Sequence, residues 1–346
     1  MRRPHDPSKP GPGPSSPPGR SRAPWLLLAL PALLALALRS LSTLLPQDRI
    51  WGHMLQSLAL VAGPWLMLLG AVFGLGLALQ RRRPGAALLA LPYLLLCGHP
   101  PLSGSLQGLR VVSANVDAFS EGPAGAEATL AALEPDVLLV IERRAEVVPG
   151  LLRVADNYAV PMSRISHGHA VHCRPGLGCQ AAIAPEIGSS TSIMPVGLVR
   201  VPVPRQGGGA AVEACILSIH APPPAPLDPT GLRPYINRVA GAVREGRMLR
   251  QWGPCLAGDP VLLIGDFNHV AGAGAWRALD ATGLRDAEAG WGLWRASWPA
   301  GGDWPDLPLF GLDNARVGPE LVLTGLRHVR VPGSDHLALE GGLLAR

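Results

Sequence analysis

What the chain lacks narrows it first. Its five cysteines, Cys97, Cys173, Cys179, Cys215 and Cys255, form no CxxC pair and no Cys/His run with zinc-ligand spacing, which sets aside a structural zinc module. Glycine (42) and proline (37) are plentiful but follow no fixed period, which excludes a collagen-like fibre. Charge is scarce, at 16% of residues, and no Asp, Glu, Lys or Arg occurs between Pro84 and Leu109. The net charge of +5 is also unevenly placed: residues 1–102 carry +8 and the remainder −3. The C-terminal part therefore has no overall basic excess, which argues against a broad grip on nucleic acid.

What is present divides into three regions. Residues 1–23 are rich in Pro, Gly, Ser and Arg, a composition that cannot offset its chain entropy by burial and is expected to be disordered. Residues 24–102 hold three apolar stretches: Trp25–Leu45, interrupted by Arg39; Leu58–Leu79, with 22 residues and no charge; and Gly85–Cys97 after Arg81-Arg82-Arg83. A bilayer-crossing helix needs about 20 apolar residues, so two or three transmembrane helices are expected. The third stretch is open between a span reaching past Pro101 and an interfacial segment. The basic tail and the Arg81–Arg83 cluster sit at opposite ends of a two-span hairpin, so both fit the cytoplasmic side. With a third span, everything after about residue 103 lies outside the cytoplasm; without it, the same part is cytoplasmic.

From Leu109 the texture becomes short apolar runs followed by polar groups. Strands are expected at Leu109–Val116, Asp136–Ile141, Cys179–Ala184, Gly197–Val203, Ala211–Ile219, Pro260–Ile264, Glu320–Leu323, Arg327–Val331 and Leu337–Leu343. Helices are expected at Ala126–Leu133 and Tyr235–Gln251. Several strands deliver Asn115, Glu142, His220, Asp266 or Asn268 at their ends. Burying such groups beside apolar runs is costly unless each finds a partner, and one cation with one phosphate could satisfy them together. Cys173 and Cys179, six apart, are open between a small disulfide loop in an oxidising compartment and two ordinary thiols.

Five motifs occur in order: VVSANV at Val111–Val116, PDVLLVIE at Pro135–Glu142, His220 before its prolines, GDFN at Gly265–Asn268, and SDH at Ser334–His336. Together they resemble the landmarks of the endonuclease/exonuclease/phosphatase superfamily, the DNase I-like fold, over roughly residues 108–346, within a catalytic domain expected at residues 103–346. Ser297-Trp298-Pro299 followed by Leu312-Asp313 resembles a bacterial branch of it that carries N-terminal membrane spans. The resemblance implies an α/β fold, a four-layer α/β/β/α sandwich preceded by transmembrane helices. It implies a phosphoesterase that uses Mg2+, with Mn2+ as the alternative.

Residue by residue, the resemblance implies Asn115, Glu142 and Asp335 at the metal, and Asp266 orienting or deprotonating the attacking water. It implies Asn268, His220 and Asn115 on phosphate oxygens, with His220 also open as general acid. His336 is implied as the C-terminal histidine of the reaction, fixed by Asp313. The stretch around Asp313 reads Leu312-Asp313-Asn314-Ala315-Arg316 where the related pattern has His or Tyr after the Asp, so a strand there is left open. His167, His169 and His172 read as a solvent-facing loop, with metal binding as the alternative. His269 reads as flanking the site, and Arg200 and Arg205 as solvated strand-end charges. The expected substrate is a phosphate ester, lipid-linked or nucleic acid, with no obligate protein partner. The expected location is the bacterial inner membrane, multi-pass, with the catalytic domain extracytoplasmic. A non-catalytic binding module that retains the fold is the other class left open.

Overall fold

The structure is a computed structural model that describes residues 23–44, 50–80, 104–116, 126–142, 157–160, 168–189, 192–223, 237, 239–240, 253–270, 276–287, 295–301 and 305–346. The expected tail, the third apolar stretch, His167 and most of the expected helix Tyr235–Gln251 lie outside them.

Two helices open the chain, α1 (Ala23–Leu44) and α2 (Ile50–Gln80). Along its 31 residues α2 carries no charged side chain. Among the described residues no helix is long and apolar enough to cross a membrane.

The rest forms two six-stranded mixed sheets. In chain order the elements are β1 (Leu109–Asn115), α3 (Ala126–Ala132), β2 (Val137–Ile141), β3 (Asn157–Val160), β4 (His169–Cys173), β5 (Gln180–Ser189), β6 (Ser192–Val203), β7 (Val212–His220) and β8 (Val261–Asp266). There follow α4 (Arg277–Asp280), β9 (Arg285–Asp286), β10 (Trp298–Ala300), β11 (Asp306–Phe310), β12 (Asp313–Val317), β13 (Leu321–Arg330) and β14 (Leu337–Ala345). The first sheet runs β13-β14-β1-β2-β4-β3 and the second β5-β6-β7-β8-β12-β9, while β10 and β11 form a separate two-stranded ribbon.

The sheets pack face to face because alternate side chains along each strand point the same way. Val111, Val137, Leu139 and Val171 from the first sheet meet Val199, Val201, Ile216, Leu262, Ile264 and Ala315 from the second in one buried layer. The opposite face of the first sheet, with Val112, Ala114, Leu138 and Val140, packs on Ala126 and Leu130 of α3. The opposite face of the second, with Leu217, Ile219 and Leu263, packs on Val239, Ala240, Trp276 and Leu279. The order is therefore helix, sheet, sheet and helical segments. Burying each Val, Leu or Ile contributes about 1.5–3 kcal/mol.

Three expectations are corrected. His169 and His172 are not in a solvent-facing loop; both are buried in β4, whose alternation His169, Val171, Cys173 faces the other sheet while Ala170 faces α3. Glu320–Leu323 and Arg327–Val331 are one strand, β13, irregular between Thr324 and Arg327, where Gly325 has φ +58°. Arg200 is not a solvated charge: it pairs with Asp259 at 3.1 Å and Glu213 at 3.5 Å. The strand left open at Asp313 exists as β12, and Arg205 is exposed as expected. Two disulfides close, Cys173–Cys179 and Cys215–Cys255; the second was not anticipated.

Candidate active site

The alternation that builds the central layer also builds the site. On β1 the positions Leu109 and Val111 face the other sheet, and the same parity continues to Asn115. On β7 the series Ala214, Ile216 leads to Ser218 and His220. On β8, Leu262 and Ile264 lead to Asp266, and on β12, Val317 and Ala315 lead back to Asp313. Each strand is apolar along its middle and turns polar at the same end of the sandwich. Register aligns these ends: His220 stands opposite Asp266 across β7 and β8, and Asp313 opposite Asp266 across β8 and β12.

Two backbone features aim the groups. Glu142 follows β2 at φ +58° and Asn268 follows β8 at φ +48°. The left-handed region costs a residue with a Cβ about 1–2 kcal/mol, less for Asn, and such strain gathers at functional sites. Gly265 sits at φ +143°, and a Cβ there would lie 2.1 Å from the Ile219 carbonyl oxygen. Only glycine lets β8 approach β7 so closely.

Asn115 Nδ2 donates to Glu142 Oε1 at 3.1 Å and to Asp266 Oδ2 at 3.0 Å. His220 Nε2 lies 3.3 Å from Glu142 Oε1 and 3.7 Å from Asp266 Oδ2. The Asn268 backbone N–H donates to Asp266 Oδ1 at 2.7 Å, while its side-chain Nδ2 donates to the Ala221 carbonyl at 2.8 Å. His336 Nδ1 bonds Asp313 Oδ2 at 2.8 Å, and its Nε2 lies 3.9 Å from both Asp266 Oδ2 and Asp335 Oδ1. Ser334 Oγ donates to the Asn115 carbonyl at 2.7 Å, tying the SDH segment to β1. All eight residues singled out from the sequence are thus joined in one chain of short distances. His269 is buried beside them, its carbonyl accepting from Asn314 Nδ2 at 3.5 Å.

The electrostatics follow from burial and crowding. Burial first, then Asp313 and Glu142, raise the Asp266 carboxyl to about 7, against His336 and the Asn268 N–H, which lower it. Burial would lower the His336 imidazole, but Asp313, Asp266 and Asp335 outweigh it and raise it to about 10. His336 is therefore a cation held by carboxylates.

Two groups of three, Glu142/His220/Asp266 and Asp266/Asp313/His336, each bring one ligand-type atom per residue within 4.8 Å. Several carboxylates crowded in a buried place suit a hard divalent cation, and oxygen donors suit Mg2+ or Mn2+. Glu142 and Asp335 fit such a group by their chemistry. Asn115 turns its amide nitrogen to the carboxylates, so in this arrangement it acts as a donor to them.

Sequence reasoning missed the layer beneath. His169 Nε2 and Ser218 Oγ share a hydrogen bond of 2.6 Å across the two sheets, and Gly197 leaves the room, since a Cβ there would lie 3.1–3.2 Å from both side chains. Burial, with His220 nearby, lowers His169 to about 3, so it is neutral. The alternating stretch His169-Ala170-Val171-His172-Cys173 was the available signal. The ribbon residue Trp298, named in the sequence only as part of the Ser297-Trp298-Pro299 motif, donates from Nε1 to Asp335 Oδ2 at 2.7 Å, a contact the sequence did not announce.

The fold and site together define a class: a two-sheet α/β sandwich with an acid-and-histidine cluster at one rim. No protein-family model and no curated protein matches the chain. Among solved structures it is similar to the human Nocturnin catalytic domain with bound sulfate anion (15% identity, 72% of this chain and 100% of that one, TM-score 0.48). It is also similar to D. rerio TDP2 complexed with single strand DNA product (12%, 68% and 99%, TM-score 0.49). A third is an endonuclease/exonuclease/phosphatase from Bacteroides vulgatus (11%, 69% and 100%, TM-score 0.48). Likenesses this distant carry no argument about what the chain does; the site's own geometry must.

Proposed function

We propose that the chain is a membrane-anchored, divalent-metal-dependent phosphoesterase of the endonuclease/exonuclease/phosphatase kind, hydrolysing a phosphodiester or phosphomonoester. The observation that carries this reading is Asp266: it is buried, titrates near 7, and lies within 4 Å of Asn115, His220 and His336. One carboxylate at the junction of both groups of three is the arrangement that water activation next to an anion requires.

Glu142 and Asp335, with Asn115 beside them, would hold Mg2+ or Mn2+, which when bound neutralises the ester's charge and stabilises the leaving oxygen. Asp266 takes the proton from water aimed at phosphorus; a carboxyl titrating near neutrality suits a general base. The Asn268 N–H and Asn115 Nδ2 hold its two oxygens in place. His336, kept cationic by Asp313, draws a phosphoryl oxygen. His220, facing Glu142 and Asp266, is placed to contact phosphate or to protonate the departing oxygen. Asn268 Nδ2 is engaged with Ala221, so a bond from it to phosphate would replace one within the protein.

The anchor rests on the sequence: Trp25–Leu45 and the uncharged 22-residue run Leu58–Leu79 have the length that a bilayer-crossing helix needs, about 20 residues. The catalytic part, residues 103–346, belongs on the extracytoplasmic side of a bacterial inner membrane, which by the charge pattern requires the third apolar stretch of the sequence to serve as a further span. Two disulfides support that side, since such bonds persist in oxidising compartments. The −3 balance of that part and the anchor together favour a lipid-linked phosphate over nucleic acid.

The test uses the full chain in detergent micelles with bis(p-nitrophenyl) phosphate and p-nitrophenyl phosphate, each with Mg2+ and with chelator. Metal-dependent turnover that disappears in Asp266→Ala is expected. Absence of turnover on both esters would favour the binding-module reading. Comparing phospholipid with DNA then separates the substrate classes, and protease accessibility of residues after 103 in sealed vesicles decides the side.

A further inference from the structure

We infer that Trp298 is a positioning residue for the cation: its indole N–H pins one oxygen of Asp335 so that the other is presented to the metal. The inference rests on the metal-dependent reading above. Trp298 Nε1 donates to Asp335 Oδ2 at 2.7 Å, and the other oxygen, Oδ1, is the one near His336 Nε2, at 3.9 Å. A carboxylate free to rotate offers either oxygen and loses that freedom on binding a cation. A donor on the far oxygen removes the freedom beforehand. Partners of this kind orient metal ligands and raise affinity.

The ribbon that carries Trp298 is itself fixed to the segment it orients. The Ala300 N–H donates to the Asp335 carbonyl at 2.6 Å and the Leu337 N–H to the Ser297 carbonyl at 2.9 Å, so backbone bonds bracket the indole contact. Ser297 Oγ accepts from the N–H groups of Leu312 and Asp313 at 3.1 and 3.0 Å. The Arg330 guanidinium reaches the Ala300 carbonyl and Asp306, holding β10 and β11 together against β13. One short ribbon thus bears on Asp313 and Asp335 at once. Trp298 also packs on Phe310, with ring centroids 5.8 Å apart. Packing is therefore the competing explanation, and the indole N–H is what separates the two.

The experiment measures Mn2+ affinity by electron paramagnetic resonance on the full chain in detergent micelles, with the thermal unfolding midpoint of each variant. Trp298→Phe removes the N–H and keeps a ring; its Mn2+ affinity should fall by about 10–100-fold. Phe310→Leu removes the ring contact and keeps the N–H; its affinity should match the wild type. Should Trp298→Phe fail to fold, benzothienylalanine at position 298 exchanges only the N–H for sulfur and should weaken Mn2+ in the same way. Unchanged affinity on losing the N–H overturns the inference, as does an equal loss in Phe310→Leu. A wild-type chain that binds no Mn2+ instead overturns the metal-dependent reading, and this inference with it.

Discussion

Two buried histidines stand a layer apart, one neutral and one cationic. His169, between the sheets, is lowered to about 3; His336, at the rim, is raised to about 10. Burial is nearly equal, since both are under a tenth exposed. The difference lies in their partners. His169 meets a hydroxyl and sits near another histidine, whereas His336 meets three carboxylates. Burial by itself neutralises an imidazole, and it takes several anions to reverse that. The lower layer is thus a neutral support and the upper one a charged, reactive surface.

The largest expected effect tests that division directly. Asp266→Ala should lower turnover by about 10²–10⁴-fold, the usual contribution of a positioned base, while Ser218→Ala leaves turnover within an order of magnitude. Comparable losses in both, measured as kcat on the same ester, would erase the distinction.

Next comes Asp313→Asn, which leaves the buried His336 without its closest counter-charge. A broken buried pair costs about 3–5 kcal/mol, read as the shift in urea unfolding. The pH dependence has a definite sign. His336 has a folded value above its usual 6.5, so its stabilising contribution in metal-free protein is complete below about 6.5 and is lost as pH rises through about 10. In Asp313→Asn that loss should be complete at lower pH.

For His169 the sign is opposite. Its folded value is depressed, so its neutral form stabilises fully above about 6.5 and the benefit is lost as pH falls toward about 3. Unfolding measured across that window should show a shallower acid limb in His169→Gln than in the wild type. The smallest effect is Ser218→Ala, which strips the hydroxyl from a buried ring nitrogen at a cost of about 1–3 kcal/mol. An unchanged unfolding midpoint would mean that the layer supports nothing.

Much of this was legible in the residues because β-structure has period two. Apolar runs that end in Asn115, Glu142, Asp266 or His220 announce strands whose last side chain is polar, and β1, β2, β7 and β8 end within a residue or two of where the runs do. β4 was not legible, because Gly168 and three histidines nearby read as a polar loop. Its burial depends on Ser218, 49 residues away, meeting His169. The strand at Asp313 was left open because Asn314 stands where the related pattern has His or Tyr; within the fold Arg295 donates to Asn314 and Asp280 pairs with Arg316.

Sequence alone determined which side chains could act, because residue type and strand parity are local properties. It also determined the uncharged stretches that suit a bilayer. Only the tertiary structure decided which histidine is charged, which oxygen of Asp335 is held by Trp298, and which cysteines pair. Each of those depends on distances between segments far apart in the chain, and electrostatic and hydrogen-bond energies are set by such distances rather than by order along it.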